Sequence, residues 1–263
     1  MANVSVKTLQ DLKEQGEKFC CITAYDATFS RLISEAGAET MLVGDSLGMV
    51  LQGHESTVPV TIDDMAYHTA SVARGNRGAM IMADMPFMSY ATAEQAMVNA
   101  TSLMQAGAQM VKMEGGTWLS GTIEKLVERG IPVCAHLGLT PQSVNVFGGY
   151  RVQGRTPKGA KSILADAVEI QDAGASLLVL ECVPSELATD ISEKLTIPVI
   201  GIGAGPGTDA QVLVMHDMLG LAEHNARFVE NFMAGADSIQ EALAAFVAAV
   251  KSGAYPRPEQ AYS

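Results

Sequence analysis

Four carboxylates close four apolar runs. Asp45 follows Met41-Leu42-Val43-Gly44, Asp84 follows Met80-Ile81-Met82-Ala83, Glu114 closes the run that Met110-Val111 begins, and Glu181 follows Leu177-Leu178-Val179-Leu180. An apolar run of that length ending on a carboxylate reads as a buried strand that delivers a charge to the rim of a sheet, where α/β proteins hold their ligands. Four such endings imply a converging cluster, and close carboxylates repel one another unless a cation shares the site. Taken singly, Asp45 in Gly44-Asp45-Ser46-Leu47-Gly48 and Asp84 before Met85-Pro86 suit a helix cap or a turn. Together they suit a hard cation such as Mg2+, which takes one or two carboxylates and leaves its other positions to water and substrate.

Lys112 and Glu114 lie two apart on a predicted strand, so their side chains share a face, which in a barrel can be the interior. The ordinary meaning of Lys-x-Glu is a salt-bridged pair on a wet edge. Here the strand is apolar and runs into Gly115-Gly116, which permits close backbone approach to a ligand and favours a functional pair. Glu181 ends the most apolar run of the chain; burial raises a carboxyl pKa into the range useful for moving protons. Pairing with a nearby arginine is its equal alternative. His136 ends another strand and suits ligand orientation or neutral donation, although a lone strand-end histidine more often makes structural hydrogen bonds. His54, His68, His216 and His224 lack metal-type spacing. Gly201-Ile202-Gly203-Ala204-Gly205-Pro206-Gly207 has Pro206 where a dinucleotide fingerprint needs its third glycine and lacks the Gly-Lys-Ser/Thr of a P-loop. A tight turn is its favoured meaning, with an anion cradle as the alternative, since barrels bind phosphate near their last two strands.

The elements that position these groups follow a repeated phrase. Ala36-Gly37-Ala38, Ala106-Gly107-Ala108 and Ala173-Gly174-Ala175 each end a helical segment just before an apolar strand, and Arg74-Gly75 and Arg129-Gly130 play the same part. The predicted strands are 19–23, 41–44, 80–83, 110–114, 132–136, 177–181, 198–202 and 212–215. All are nearly continuous apolar runs, as parallel strands covered on both faces must be, with helical segments between them. Thr92-Ala93-Glu94-Gln95 and Ser238-Ile239-Gln240-Glu241 have the form of capping boxes. Eight strands favour a closed (β/α)8 barrel over an open doubly wound sheet, and a barrel gathers strand-end carboxylates at its active face. Leu9 and Leu12 predict a short helix before Gly16. Ile239, Leu243, Phe246, Val247 and Val250 form one apolar helical stripe, suited to the last barrel helix or to an interface.

The 263 residues suit a single domain spanning 1–263. With 17 basic and 29 acidic residues the formal charge is −12, which repels phosphate backbones and points to small-molecule substrates and no nucleic acid. The opening residues lack the apolar stretch of a secretory signal and no later run approaches the ~20 residues of a membrane span, so no membrane partner and a cytoplasmic location are expected. Cys20, Cys21, Cys134 and Cys182 show no Cys-x-x-Cys spacing and are expected to be buried free thiols.

Several ordered phrases resemble the 3-methyl-2-oxobutanoate hydroxymethyltransferase (ketopantoate hydroxymethyltransferase) family. They are Val43-Gly44-Asp45-Ser46-Leu47-Gly48 with Gln52-Gly53-His54, Ala83-Asp84-Met85-Pro86-Phe87, Val111-Lys112-Met113-Glu114-Gly115-Gly116, His136-Leu137-Gly138-Leu139-Thr140-Pro141-Gln142 and Leu180-Glu181-Cys182-Val183-Pro184. Ile202-Gly203-Ala204-Gly205 and Val214-Met215-His216-Asp217 continue the match, while Ala210 and the stretch Glu223–Arg227 depart from it. The resemblance implies a TIM barrel of the phosphoenolpyruvate/pyruvate type with an N-terminal helix and C-terminal helices. It implies transfer of a hydroxymethyl group from the co-substrate 5,10-methylenetetrahydrofolate to 3-methyl-2-oxobutanoate, giving 2-dehydropantoate in the committed step of pantothenate biosynthesis, by a class II aldolase-like, metal-enolate route. By that carry-over Asp45 and Asp84 ligate one Mg2+ per subunit, with Mn2+ or Co2+ as alternatives, and contact the substrate. Glu114 completes the metal site directly or through water, Ser46 and Lys112 hold the substrate carboxylate, Glu181 accepts the proton, and His136 is auxiliary. A homodecamer of stacked pentamers that exchange the C-terminal helix is implied as well. The competing readings are a metal-dependent 2-oxo acid lyase or phosphoenolpyruvate mutase-like enzyme and, from a different class, a non-catalytic metal-binding barrel.

Overall fold

A computed structural model describes residues 3–222 and 225–263. Glu223 and His224 lie outside the described residues, and with them part of the divergent Glu223–Arg227 stretch. The first half of the chain runs α1 (Val6–Gln15), β1 (Phe19–Thr23), α2 (Ala27–Ala36), β2 (Thr40–Val43), a short α3 (Leu47–Val50), α4 (Ile62–Gly75), β3 (Met80–Asp84), α5 (Ala93–Ala106) and β4 (Met110–Glu114). It continues with α6 (Ser120–Val127), β5 (Val133–Gly138), a short α7 (Val144–Phe147), α8 (Pro157–Asp172), β6 (Leu177–Glu181), α9 (Ser185–Lys194), β7 (Val199–Ile202), β8 (Ala210–Leu213), a short α10 (Met215–Met218) and α11 (Ile239–Ser252). The eight strands form a closed parallel barrel in sequence order, sealed where Phe19–Ile22 pairs with Ala210–Leu213. Among the described residues no helix is long and apolar enough to cross a membrane.

The alternation of strand side chains sorts the core into two. Phe19, Cys21, Leu42, Met80, Met82, Met110, Cys134, Leu177, Val179, Ile200 and Val212 fill the barrel interior, with Leu9 of α1 packed into the same cluster. Their strand neighbours, among them Ile22, Ile81, Val111, Met113, Ala135 and Leu180, face the helices. The interior parity on β3, β4 and β5 continues upward from Met82 to Asp84, from Met110 to Lys112 and Glu114, and from Cys134 to His136. The strand period that buries methionines at mid-barrel therefore aims charged groups into its mouth. All four cysteines are buried and unpaired.

Most expected elements are present, and the differences have local causes. Gly37 and Gly107 close α2 and α5 in the left-handed conformation, with φ of 88° and 115°. Gly75 does not: α4 runs through it to Asn76 at φ −59°. Its role is close approach, because a Cβ there would lie 2.0 Å from the carbonyl oxygen of Ala27 in α2. Strand β5 continues to Gly138, so His136 sits within it, not at its end. Strand β8 begins and ends two residues earlier than its apolar run suggests, since Val214 and Met215 already start α10. Between β7 and β8 there is no helix at all, only residues 203–209. Cβ atoms on Gly205 and Gly207 would meet Ser185 and Thr189 of α9 at 2.1 and 2.0 Å, so this link lies flat against α9 where a helix could not fit. The glycines thus serve the tight turn. Ser238 and Thr92 cap α11 and α5 by accepting from the N–H groups of Glu241 and Gln95, but the reciprocal half of each expected capping box is missing, and Glu241 instead accepts the N–H of Asp237. The apolar stripe of α11 is buried within its own chain, against β1 and α2.

Candidate active site

At the C-terminal mouth of the barrel, Asp45, Asp84, Lys112, Glu114 and His136 are all buried, and Glu181 is nearly so. The register sets Asp84 beside Lys112 and Glu114 beside His136. With Ser46 they line one cavity of about 170 Å3, comparable to the ~150 Å3 cavity that admits a benzene-sized ligand in a protein core. Every residue singled out as a candidate from the sequence borders this space.

Asp84 links the first two positions: its Oδ2 accepts the backbone N–H of Asp45 at 2.9 Å. Its Oδ1 lies 2.5 Å from Lys112 Nζ, so the two form a buried ion pair. Lys112 Nζ lies 4.0 Å from Glu114 Oε1. Burial works against the ammonium, yet Asp84, Glu114 and Asp45 together raise its pKa and keep it charged. The carboxylates move the other way. Burial, then Asp84 and Glu114, push Asp45 well above the usual carboxyl range, against the pull of Lys112 and a hydrogen bond from Gln142. Burial pushes Glu114 up to about 7, opposed by Lys112 and by the N–H of Gln142.

His136 stands between two acids, with Nδ1 3.4 Å from Glu114 Oε1 and Nε2 3.4 Å from Glu181 Oε2. Burial and the neighbouring Lys112 lower its pKa, so the ring is neutral and has one N–H to offer two carboxylates. Burial also raises Glu181, with His136 opposing. Among the described residues no arginine pairs with Glu181, whose ionisable neighbour is this neutral histidine. Ser46 Oγ is held 2.9 Å from Tyr25 Oη.

Among the described residues, no three His, Cys, Asp or Glu side chains form a ready-made metal cage. The donor set nevertheless fits a cation that needs few protein ligands: two adjacent aspartates, both buried, border the same cavity. Glu114 is more committed, since its Oε2 accepts the backbone N–H of Gln142 at 2.9 Å and its Oε1 faces His136.

Gln142 is the residue that a search for chemistry in the sequence overlooks. Its Nε2 donates to Asp45 Oδ2 at 2.8 Å and to the Met85 carbonyl at 3.0 Å, while its Oε1 accepts from Tyr90 Oη at 2.5 Å. Tyr90 in turn bonds the backbone of Glu114. The available signal was positional: Thr140-Pro141-Gln142 follows β5 directly on the functional face.

The family model described as Ketopantoate hydroxymethyltransferase matches residues 3–258. The 3-methyl-2-oxobutanoate hydroxymethyltransferase 2 of Pseudomonas entomophila (strain L48) is 60% identical over 265 residues, covering 100% of both chains. The 3-methyl-2-oxobutanoate hydroxymethyltransferase of Marinobacter nauticus is 58% identical, covering 98% of each. Among solved structures, a putative phosphonomutase from Burkholderia cenocepacia J2315 superposes with a TM-score of 0.65 at 15% identity, covering 81% of this chain and 94% of the other. A 2,3-dimethylmalate lyase, described as a PEP mutase/isocitrate lyase superfamily member, does so at 0.60 and 16%, covering 81% of each chain. At such identities these structures share the fold. The full-length match to the family model and to relatives at this identity is of another order: the chain belongs to the ketopantoate hydroxymethyltransferase family.

Proposed function

We propose that this single-domain barrel transfers a hydroxymethyl group to C3 of 3-methyl-2-oxobutanoate, with 5,10-methylenetetrahydrofolate as the donor and 2-dehydropantoate as the product. The observation that carries the reading is the graded row of buried groups from Asp45 through Asp84, Lys112, Glu114 and His136 to Glu181 along one cavity. Asp45 and Asp84 would hold a divalent cation, Mg2+ by preference and Mn2+ or Co2+ as alternatives, with Glu114 reaching it through water. Such a cation supplies Lewis acidity toward the ketone and carboxylate oxygens of a 2-oxo acid. Lys112 and Ser46 bind the substrate carboxylate, where the ammonium offsets its charge. Glu181, whose pKa burial raises, takes the C3 proton. Neutral His136 orients Glu181 through Nε2. Apolar Val179, Ile202 and Val212 border the same cavity and suit the substrate's isopropyl end.

A phosphorylated substrate suits this cavity less well. Among the described residues that line it, Lys112 is the one lysine or arginine, and it already faces Asp84. A cytoplasmic homo-oligomer, decameric by the family resemblance, belongs to the same reading. Exchange of α11 between neighbours would have to replace its packing on β1 and α2.

The reading is tested by incubating the protein with 3-methyl-2-oxobutanoate and Mg2+ in D2O. Glu181→Gln should slow deuterium entry at C3 by a factor of about 100 or more, the ordinary contribution of a general base, while calorimetry still detects 2-oxo acid binding. Undiminished exchange would give the proton to another group.

A further inference from the structure

The inner cavity, at about 170 Å3, has room for a small 2-oxo acid but not for a carrier of the transferred carbon, because ligands of drug size need pockets of roughly 300–1,000 Å3. A second and larger space of about 680 Å3 opens above it, and Met49, Tyr150 and Asp217 border both. Its other walls include His54, His216 and Leu221. They come from three segments: the loop after β2, the loop between β5 and α8, and the segment after β8. Tyr150 and Leu221 are 51% and 66% exposed, so the outer groove presents apolar faces to solvent directly over the barrel mouth. Tyr150 Oη rests 3.5 Å from Met49 Sδ, which places the junction of the two spaces between these side chains.

Asp217 stands at that junction. Partial burial raises its pKa, and among the described residues no cationic side chain or hydrogen-bond donor engages its carboxylate. A half-buried carboxylate that no described residue engages, under a rim of apolar and aromatic side chains, suits a flat ring whose edge carries two parallel N–H donors, since a carboxylate accepts such a fork at both oxygens. The 2-amino-4-oxo-pyrimidine edge of a reduced pterin has that pattern. The ring of Tyr150 supplies a face against which a second ring can lie.

Resting on the hydroxymethyl-transfer reading above, we propose that this outer groove is the binding site of the one-carbon carrier. Asp217 takes the amino-pyrimidine edge of a tetrahydrofolate, Tyr150 and Leu221 cover its rings, and the carried carbon enters the inner cavity past Met49. The donor thus reaches the 2-oxo acid from the open end of the barrel, while the aspartates and Lys112 hold the acceptor below it.

The test is calorimetric titration of tetrahydrofolate, and separately of 3-methyl-2-oxobutanoate, into protein holding Mg2+. Asp217→Asn keeps the shape but replaces one acceptor oxygen with a donor, and should weaken tetrahydrofolate at least tenfold while weakening the 2-oxo acid by a clearly smaller factor. Leu221→Glu, at an exposed position where folding is not at stake, should weaken tetrahydrofolate as well. Wild-type tetrahydrofolate binding that neither substitution disturbs overturns the assignment, and so does an equal loss for both ligands with Asp217→Asn. A wild-type protein that binds the 2-oxo acid but no tetrahydrofolate removes the transfer reading along with the groove.

Discussion

Replacing Gln142 with leucine keeps its approximate volume and removes three side-chain hydrogen bonds at once. One goes to a carboxylate, Asp45 Oδ2; the others join the Met85 carbonyl and Tyr90 Oη. A bond to a charged group contributes about 1.5–3 kcal/mol and a neutral one about 1 kcal/mol. Tyr90 retains its contacts with the backbone of Glu114, so the expected loss is about 3–5 kcal/mol of unfolding free energy. The site should suffer as well, because the bond from Gln142 helps to keep the buried Asp45 ionised. Without it Asp45 binds its proton more tightly, and Mg2+ affinity at neutral pH should fall by about tenfold or more, the equivalent of ~1.4 kcal/mol. Urea unfolding and calorimetric Mg2+ titration read the two effects separately. Gln142→Glu is the companion variant: it can still accept from Tyr90 but sets an oxygen against Asp45 Oδ2, so its Mg2+ affinity should be lower still. A Gln142→Leu protein within about 1 kcal/mol of wild-type stability that binds Mg2+ normally would refute the positioning role.

The pH dependence of stability has a definite sign. Glu114 is held at about 7 in the folded chain against an ordinary 4.5, so between these values the folded protein keeps a proton that the unfolded chain has released, and stability falls as pH rises. Without divalent metal the decline due to Glu114 should reach about 3 kcal/mol by pH 7.5, read as the difference between wild type and Glu114→Gln in urea; a wild-type curve that rises relative to the variant would contradict it. Saturating Mg2+ should flatten the decline, because it favours the ionised carboxylates. Far from the site, Gly75→Ala drives a methyl group into the Ala27 carbonyl and should cost about 1–3 kcal/mol despite the helical backbone; thermal unfolding at an unchanged midpoint would show that α2 and α4 can separate freely.

The charged site was legible in the sequence because it breaks a pattern. Met80, Met82 and Asp84, or Met110, Lys112 and Glu114, share one face of a strand, and a charge at the end of a methionine row cannot belong to the helix-packing face. Glu181 was marked for the same reason. The barrel itself followed from eight apolar runs, although closure is a long-range fact carried by the β1–β8 pairing. What stayed hidden lies where no period operates. Gln142, Tyr90, Tyr150 and Asp217 belong to connections, and a single glutamine or tyrosine in a loop announces nothing until the fold brings Asp45 to it from 97 positions away. The turn between β7 and β8 was legible in its run of glycines, but its packing against α9 was not, because Gly205 and Gly207 act on Ser185 and Thr189 of another segment.

The charges at the mouth also decide which group can accept a proton. Three buried carboxylates and one ammonium sum to −2, and without a cation it is protons that relieve this excess, as the raised pKa values of Asp45 and Glu114 record. A divalent cation brings the sum to zero and returns those carboxylates to their ionised forms, where they are ligands and poor bases. Lys112 cannot serve, because its carboxylate neighbours raise its pKa and keep it protonated. Glu181 stands outside this cluster, with neutral His136 between it and Glu114. On the proposed reading, that spacing would let a cation held by Asp45 and Asp84 act on a substrate while drawing down Glu181, whose pKa burial raises, less than its own ligands. Binding and proton removal can therefore make opposite electrostatic demands on neighbouring carboxylates of one cavity.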